Sequence, residues 1–219
     1  MKAFLFDLNG TMIDDMGYHI QAWHTLLTKY GSGITLEQTK EQCYGKNGEL
    51  LERVFPGRFT DEEKNKIGYA KEEQYQREFR PNLKLINGLD KFLAAAHKQH
   101  IKMAIGSAAI TFNIDFVLDG LNIRHYFSSI VSADNVVYSK PDPETYLKNA
   151  AELGVAPEDC IVFEDAPKGV EAAQNAGMQA VVITSMHTKD EFGAYNNIIG
   201  FIEDYTESWL QETLLTATV

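Results

Sequence analysis

The sequence predicts an α/β fold: a doubly wound parallel, Rossmann-like sheet core with an all-helical cap inserted after its first strand. Three features predict it. Short continuous apolar runs alternate with stretches of helical period, the pattern of parallel strands covered on both faces by crossover helices. The first run, Ala3-Phe4-Leu5-Phe6, lies near the start of the chain, and the others all follow Pro81. Between them, from about residue 15 to 80, no convincing strand can be read. The core is therefore assigned to residues 1–13 and 83–219, and the cap to residues 14–82. Connections near residues 12–16 and 80–86 would join the two, an arrangement suited to hinge closure over a site.

Taken in order, Ala3–Phe6 reads as a buried strand that stops at Asp7 and enters a glycine-containing turn. Ile20, Trp23, Leu27 and Tyr30 then recur at spacings of three and four, one face of a helix. Trp23 lies on that apolar face and is assigned to the core rather than to a substrate platform. Thr35 with Gln38, and Thr60 with Glu63, are capping-box pairs that start two further helices. Beyond Pro81, Leu89, Phe92, Leu93 and Ala96 mark a helix, and Ile101–Ile105 a strand ending at Gly106-Ser107. A helix around Phe112, Phe116 and Val117 precedes a short strand, Ser129–Val131. Lys140-Pro141-Asp142-Pro143 opens a helix through Tyr146 and Leu147, because proline is tolerated in a first helical turn. Cys160–Phe163 is the next strand, ending at Glu164-Asp165. Pro167 begins a helix that Gly177 closes, and Ala180–Ile183 is the last strand to be read.

With 219 residues, 44% of them hydrophobic, the chain is long enough for a full domain and a smaller one. A formal net charge of -11 repels nucleic acid and anionic membrane, and both are set aside as partners. The same charge repels phosphate, so any phosphate site must be made locally positive by a metal, a lysine or helix N-termini. No apolar stretch approaches membrane-spanning length, and the opening run is too short for a signal peptide. A cytoplasmic monomer is expected. Cys43 and Cys160 are too far apart in sequence to define a disulfide framework or a zinc spacing.

In open α/β sheets the site lies outside the carboxyl ends of the strands. The residues there are Asp7-Leu8-Asn9-Gly10-Thr11, then Ser107 with Ala108, then Lys140 across a loop, then Glu164-Asp165. Each alone has a plain reading: a turn aspartate, a helix-capping serine, a solvated lysine, turn carboxylates. All of them at strand ends form an anion-and-metal toolkit, and hard oxygen ligands at this density suit Mg²⁺.

The order of these residues resembles the haloacid dehalogenase superfamily over essentially the whole chain. Phe6-Asp7-Leu8-Asn9-Gly10-Thr11 is similar to the first motif, Asp-x-Asp-Gly-Thr; Ser107 fits the second, Lys140-Pro141 the third and Glu164-Asp165 the fourth. Tyr18-His19 and Ala22-Trp23 resemble the first cap helix of the β-phosphoglucomutase and sugar-phosphatase branch. The resemblance implies phosphoryl transfer from a small phosphorylated metabolite. Asp7 would be the nucleophile that forms an aspartyl phosphate. Asp7, the Asn9 carbonyl, Glu164 and Asp165 would hold Mg²⁺. Thr11 and Ser107 with Ala108 would bind the transferring phosphate, and Lys140 would neutralise nucleophile and phosphate. His19 would help orient the acid/base group or shuttle the proton itself.

Two positions depart from the branch. The second aspartate of the first motif, its general acid/base, is Asn9 here, and an amide cannot move a proton. Three explanations fit: an introduced substitution that stalls turnover, a substrate with a good leaving group, or a protein that binds a phosphorylated ligand without turnover. In the cap loop read at Tyr44–Glu49, Gly48 stands about where the mutase presents an arginine to a distal phosphate. Lys46 is the nearby cation, with Asn47 beside it as a second substrate contact, and lysine lacks arginine's two-pronged geometry.

Overall fold

The computed structural model describes residues 2–215. The chain falls into two compact units: one runs up to Asp14 and resumes at Lys84, and the other is Asp15–Leu83.

The first unit is built on a six-stranded parallel sheet of order β3-β2-β1-β4-β5-β6. The strands are β1 (Ala3–Phe6), β2 (Lys102–Gly106), β3 (Ser129–Val131), β4 (Cys160–Glu164), β5 (Gln179–Ile183) and β6 (Ile198–Ile202). Alternation along β1 divides the core. Phe4 and Phe6 point to one face, where they meet Phe92 and Phe163 at centroid distances of 4.7–6.4 Å. Ala3 and Leu5 point to the other, among Val162, Ala150, Val170 and Val182. β1 is buried on both faces, which explains its lack of polar alternation. The flanking helices are α5 (Leu89–Lys98), α6 (Thr111–Gly120), α7 (Glu144–Leu153) and α8 (Pro167–Asn175).

The sixth strand, β6, has no counterpart in the sequence reading. It is an edge strand interrupted by Gly200, and its pairing with β5 shifts register between Ala180 and Val181. A side chain at Gly200 would collide with the Trp209 ring, at 2.5 Å. The glycine accommodates that ring and at the same time breaks the apolar run by which a strand is recognised.

The second unit is helical: α1 (Met16–Lys29), α2 (Leu36–Gln42), α3 (Asn47–Val54) and α4 (Asp61–Phe79), with no strand among the described residues. Both anticipated capping boxes form. Thr35 N–H donates to Gln38 Oε1 at 2.9 Å and Gln38 N–H to Thr35 Oγ1 at 3.2 Å; Thr60 and Glu63 make the equivalent pair at 2.8 and 3.3 Å. Trp23 is buried with Leu26, Leu27, Leu50, Leu51, Phe55 and Ile67, in the core as expected. The loop read at Tyr44–Glu49 is corrected: Asn47 already begins α3. Lys46 N–H donates to Glu49 Oε2 at 2.9 Å, which satisfies a helix-end amide and starts the helix earlier than the glycines suggested.

Leu5 is fully buried in the central strand. Leu5→Ala is expected to lower unfolding stability by about 2–5 kcal/mol, read by urea denaturation followed by circular dichroism.

Candidate active site

Strand order reverses direction between β1 and β4, and ligands of such sheets bind at that switch point. The register pairs Phe6 with Phe163, and Asp7 N–H donates to Phe163 O at 2.9 Å. Asp7 therefore leaves β1 beside Glu164 and Asp165 as they leave β4. Phe6 also pairs with Ile105 on β2, which brings Ser107 to the same sheet edge.

Asp7, Glu164 and Asp165 are buried, at 7%, 2% and 5% exposure, with carboxylate oxygens within 4.8 Å of one another. Lys140 reaches in from the loop before α7. Its Nζ lies 2.7 Å from Asp7 Oδ1 and 2.7 Å from Glu164 Oε1, above the Tyr146 ring at 4.7 Å. Burial would lower the Lys140 pKa, but Asp7 and Glu164 raise it well above the usual lysine value, so the ammonium stays charged. Three carboxylates against one ammonium leave this group a formal charge of -2. Such an excess is costly to bury unless a cation offsets it. Hard oxygen donors with a double negative excess fit a divalent ion such as Mg²⁺.

The carboxylates do not play the same part. Glu164 Oε1 accepts from Lys140 Nζ and from the Tyr146 hydroxyl at 2.8 Å, while Oε2 accepts from Asp165 N–H and Ala166 N–H, each at 3.0 Å. A carboxylate offers about four acceptor sites, and these donors fill them. Glu164 also lies against the bare Cα of Gly169, where any side chain would overlap its carboxylate. Asp165 similarly occupies the space beside Gly10, whose φ of 77° already favours glycine.

Thr11 is fully buried, and its hydroxyl faces Asp165 Oδ1 at 3.4 Å, a long contact that orients the carboxylate. Ser107 is buried, and its Oγ accepts from Ala109 N–H at 3.1 Å, holding the turn that contains Ala108. Asn9 follows Asp7 at the strand exit, in a local bridge with Ile13.

His19, Lys46 and Asn47 belong to the helical unit. There His19 joins a buried polar cluster. Lys71 Nζ lies 2.9 Å from His19 Nδ1 and 2.8 Å from Glu72 Oε2, and Asn47 Nδ2 donates to Glu72 Oε1 at 2.8 Å. His19 Nε2 faces Asp15 Oδ2 at 3.3 Å. The ring stacks on Tyr75 at 3.8 Å, and the Tyr75 hydroxyl donates to Asp15 at 2.5 Å. Sequence reasoning missed Lys71 and Glu72. The signal was present: Ile67, Lys71, Tyr75 and Phe79 recur every four residues, so Lys71 sits in the buried stripe of α4. Tyr146, noted only as a helix marker, and Gly169 were missed as supports of Glu164. Burial pushes the Cys43 and Cys160 thiols up to about 11, so neither is a ready thiolate. No described helix is long and apolar enough to cross a membrane.

Comparison with known proteins bears directly on this arrangement. The family described as haloacid dehalogenase-like hydrolase matches residues 4–183. The chain is 29% identical over 179 residues to the fructose-1-phosphate phosphatase YqaB of Escherichia coli, covering 82% of this chain and 94% of that protein. It is 32% identical over 189 residues to the β-phosphoglucomutase of Bacillus subtilis, covering 83% and 82%. Among solved structures, a family IA, variant 3 hydrolase of Entamoeba histolytica matches with a TM-score of 0.85 at 28% identity, over 94% of this chain and 95% of that one. A β-phosphoglucomutase of Clostridium difficile matches at 0.83 and 27%, over 97% and 96%.

Within the helical unit, burial would raise the Glu72 pKa, but Lys71 and His19 outweigh it and hold the carboxyl down to about 2. A folded-state pKa below the unfolded one gives stability that is present above about pH 4.5 and lost as pH falls toward 2. In a Trp209→Phe background, where Trp23 fluorescence reports on this unit, its stability is expected to fall by up to about 3 kcal/mol across that window. Glu72→Gln should abolish this pH dependence and lower neutral-pH stability by about 3 kcal/mol, since it leaves Lys71 without its carboxylate.

Proposed function

Because the chain belongs to the haloacid dehalogenase-like hydrolases, we propose that it hydrolyses a small phosphorylated metabolite of the sugar-phosphate class through an aspartyl phosphate on Asp7, with Mg²⁺ as cofactor. The observation that carries this reading is the buried Asp7, held by Lys140 at 2.7 Å beside Asp165 at the switch point of the sheet. The likeness to a fructose-1-phosphate phosphatase and a β-phosphoglucomutase supports the substrate class.

Asp7 and Asp165, with the Asn9 backbone carbonyl, would hold the metal; Glu164 belongs to the same cluster and acts through its hold on Lys140. The cation, when bound, supplies charge that offsets repulsion between phosphate and carboxylate. A carboxylate oxygen of Asp7 bonds to phosphorus as the bond to the leaving oxygen breaks. Lys140 stays charged beside the nucleophile throughout. Ser107, with the turn at Ala108, would bind the phosphoryl oxygens, and Thr11 would keep Asp165 aligned. Water then attacks phosphorus, releasing inorganic phosphate and restoring the Asp7 carboxylate. Each half-reaction needs a proton moved, to the leaving alkoxide and then from water, and Asn9 moves neither. His19, Lys46 and Asn47, which the resemblance suggested for the proton and the substrate, belong to the helical unit, where His19 faces Lys71 and Asn47 donates to Glu72.

Hydrolysis is favoured over a mutase by the cations near α3. The arginine of that helix, Arg53, donates to the Gln42 and Tyr44 carbonyls at 2.7 Å each, which ties it to its own unit.

The test compares acetyl phosphate, pyrophosphate and sugar phosphates with Mg²⁺ present. Asp7→Asn should abolish turnover of all of them. Tight binding with no turnover by the parent would instead make it a binding protein. Asn9→Asp is expected to raise sugar-phosphate turnover by roughly 10²-fold or more, the scale of one general acid/base. Acetyl phosphate should gain less, because its leaving group departs as a stabilised anion. Peptide mass spectrometry across Asn9-Gly10 guards against deamidated parent. Equal sugar-phosphate turnover by parent and variant would move the proton to another group or to water. Asp165→Ala should weaken Mg²⁺ binding at least about tenfold by titration calorimetry.

A further inference from the structure

We propose that the hydroxyl of Tyr205, far along the chain in the segment after β6, is a positioning group for the loop that follows the nucleophile. The rate consequence drawn from it rests on the Asp7 reading above; the structural one does not.

Three consecutive carbonyls of that loop each accept a hydrogen bond from a different segment of the first unit. Ser185 Oγ, after β5, donates to Gly10 O at 2.8 Å. The Tyr205 hydroxyl donates to Thr11 O at 3.0 Å, across 194 residues of chain. Ile86 N–H donates to Met12 O at 2.8 Å. Inside the loop, Met12 N–H donates to Leu8 O at 2.9 Å and Gly10 N–H to Ile13 O at 2.8 Å. A turn of this length needs no outside help to close. Donors from three directions instead fix where its peptides point.

Tyr205 is built for this. It is 1% exposed, with its ring beside Phe92 and Phe163 at 5.7 and 5.9 Å. Its own N–H donates to Asn87 O at 2.9 Å, and Asn87 Nδ2 donates to the neighbouring Asp204 at 2.9 Å. The chain at Tyr205–Thr206 also lies on the bare Cα of Gly88, where a side chain would come within 2.8–2.9 Å of it. One residue thus ties the returning connection at Asn87 to the loop at Thr11. Thr11 in turn faces Asp165, and Asn9 lies two residues back, so a shift of this peptide is felt at the candidate metal ligands. A buried carbonyl that loses such a donor seeks another partner, and the loop moves to find one.

Tyr205→Phe removes the hydroxyl and keeps the ring. Amide hydrogen exchange at Gly10 and Met12 is expected to quicken about tenfold or more, with the amides of β1 unchanged. Acetyl phosphate kcat, measured well below the melting temperature, should fall about tenfold, the scale on which small misplacements of reacting groups cost rate, while KM changes little. Ser185→Ala, which frees the adjacent carbonyl, should act in the same direction. Tyr195→Phe, at a tyrosine packed against the core cluster of Ala3, Leu5 and Val182, should leave both readouts alone. Unchanged exchange in Tyr205→Phe overturns the proposal. So does faster exchange with unchanged kcat, or a lower melting temperature as the sole effect. Failure of the Asp7 reading shows separately, as parent turnover that survives Asp7→Asn or is absent altogether; hydrogen exchange then decides the role of Tyr205 alone.

Discussion

The first unit is organised around one electrostatic constraint: buried carboxylates from two neighbouring parallel strands share a single ammonium. Each buried carboxylate costs several kcal/mol unless it is paired. Lys140 meets that cost for Asp7 and Glu164 together, at 2.7 Å to each. The arrangement is possible because β1 and β4 are adjacent and in register, so their exits are side by side. It is held because the space around the carboxylates is shaped for them. Gly10 and Gly169 leave room that any other residue would fill, and Tyr146 both underlies the ammonium and donates to Glu164. Lysine alone does not balance the group, and the remaining negative charge suits the divalent cation of the proposed function.

The helical unit solves a related problem differently. Lys71 and Glu72 are buried side by side, and His19, Asn47, Asp15 and Tyr75 extend the network around them. Its charged groups, Lys71 and Glu72, are paired with each other and with neighbours within that unit, which lets them occupy the stripe of a helix otherwise lined by Ile67, Tyr75 and Phe79. A network of this kind fixes side-chain orientation more strictly than apolar packing does, because each lost partner leaves a buried charge behind.

Much of this was legible in the sequence, for identifiable reasons. β1, β2, β4 and β5 announce themselves as apolar runs ending in Asp7, Ser107, Glu164 and a β5 terminus at Ile183, because strands buried on both faces have nothing polar to show. The candidate site follows from the rule that parallel sheets gather their chemistry at carboxyl ends. What escaped was information carried by contacts distant in sequence. β6 is broken by Gly200, whose purpose is visible only once Trp209 lies on it. α3 begins at Asn47 despite the glycines around it, because Glu49 satisfies the amide of Lys46. Glu164 reads as a metal ligand by motif, yet the donors that fill its oxygens come from Tyr146, Lys140 and its own next turn. No local pattern could have connected Tyr205 to Thr11.

Asn9 is where scaffold and chemistry separate. The part of residue 9 expected to serve a cation is its backbone carbonyl, which is the same in asparagine and aspartate. The peptide that carries it is directed by its neighbours: the turn closed by Met12 and Gly10 amides, and the donors from Ser185, Tyr205 and Ile86 just beyond. Replacing a carboxylate by an amide at this position also removes one negative charge from an edge that already carries an excess of two. On the proposed reading the carbonyl that would serve the cation is kept, and the loss is expected to fall chiefly on proton transfer. On that reading the site keeps its proposed nucleophile, metal ligands and neutralising lysine while losing one step, and the remaining reactivity would be sorted by how badly each leaving group needs a proton.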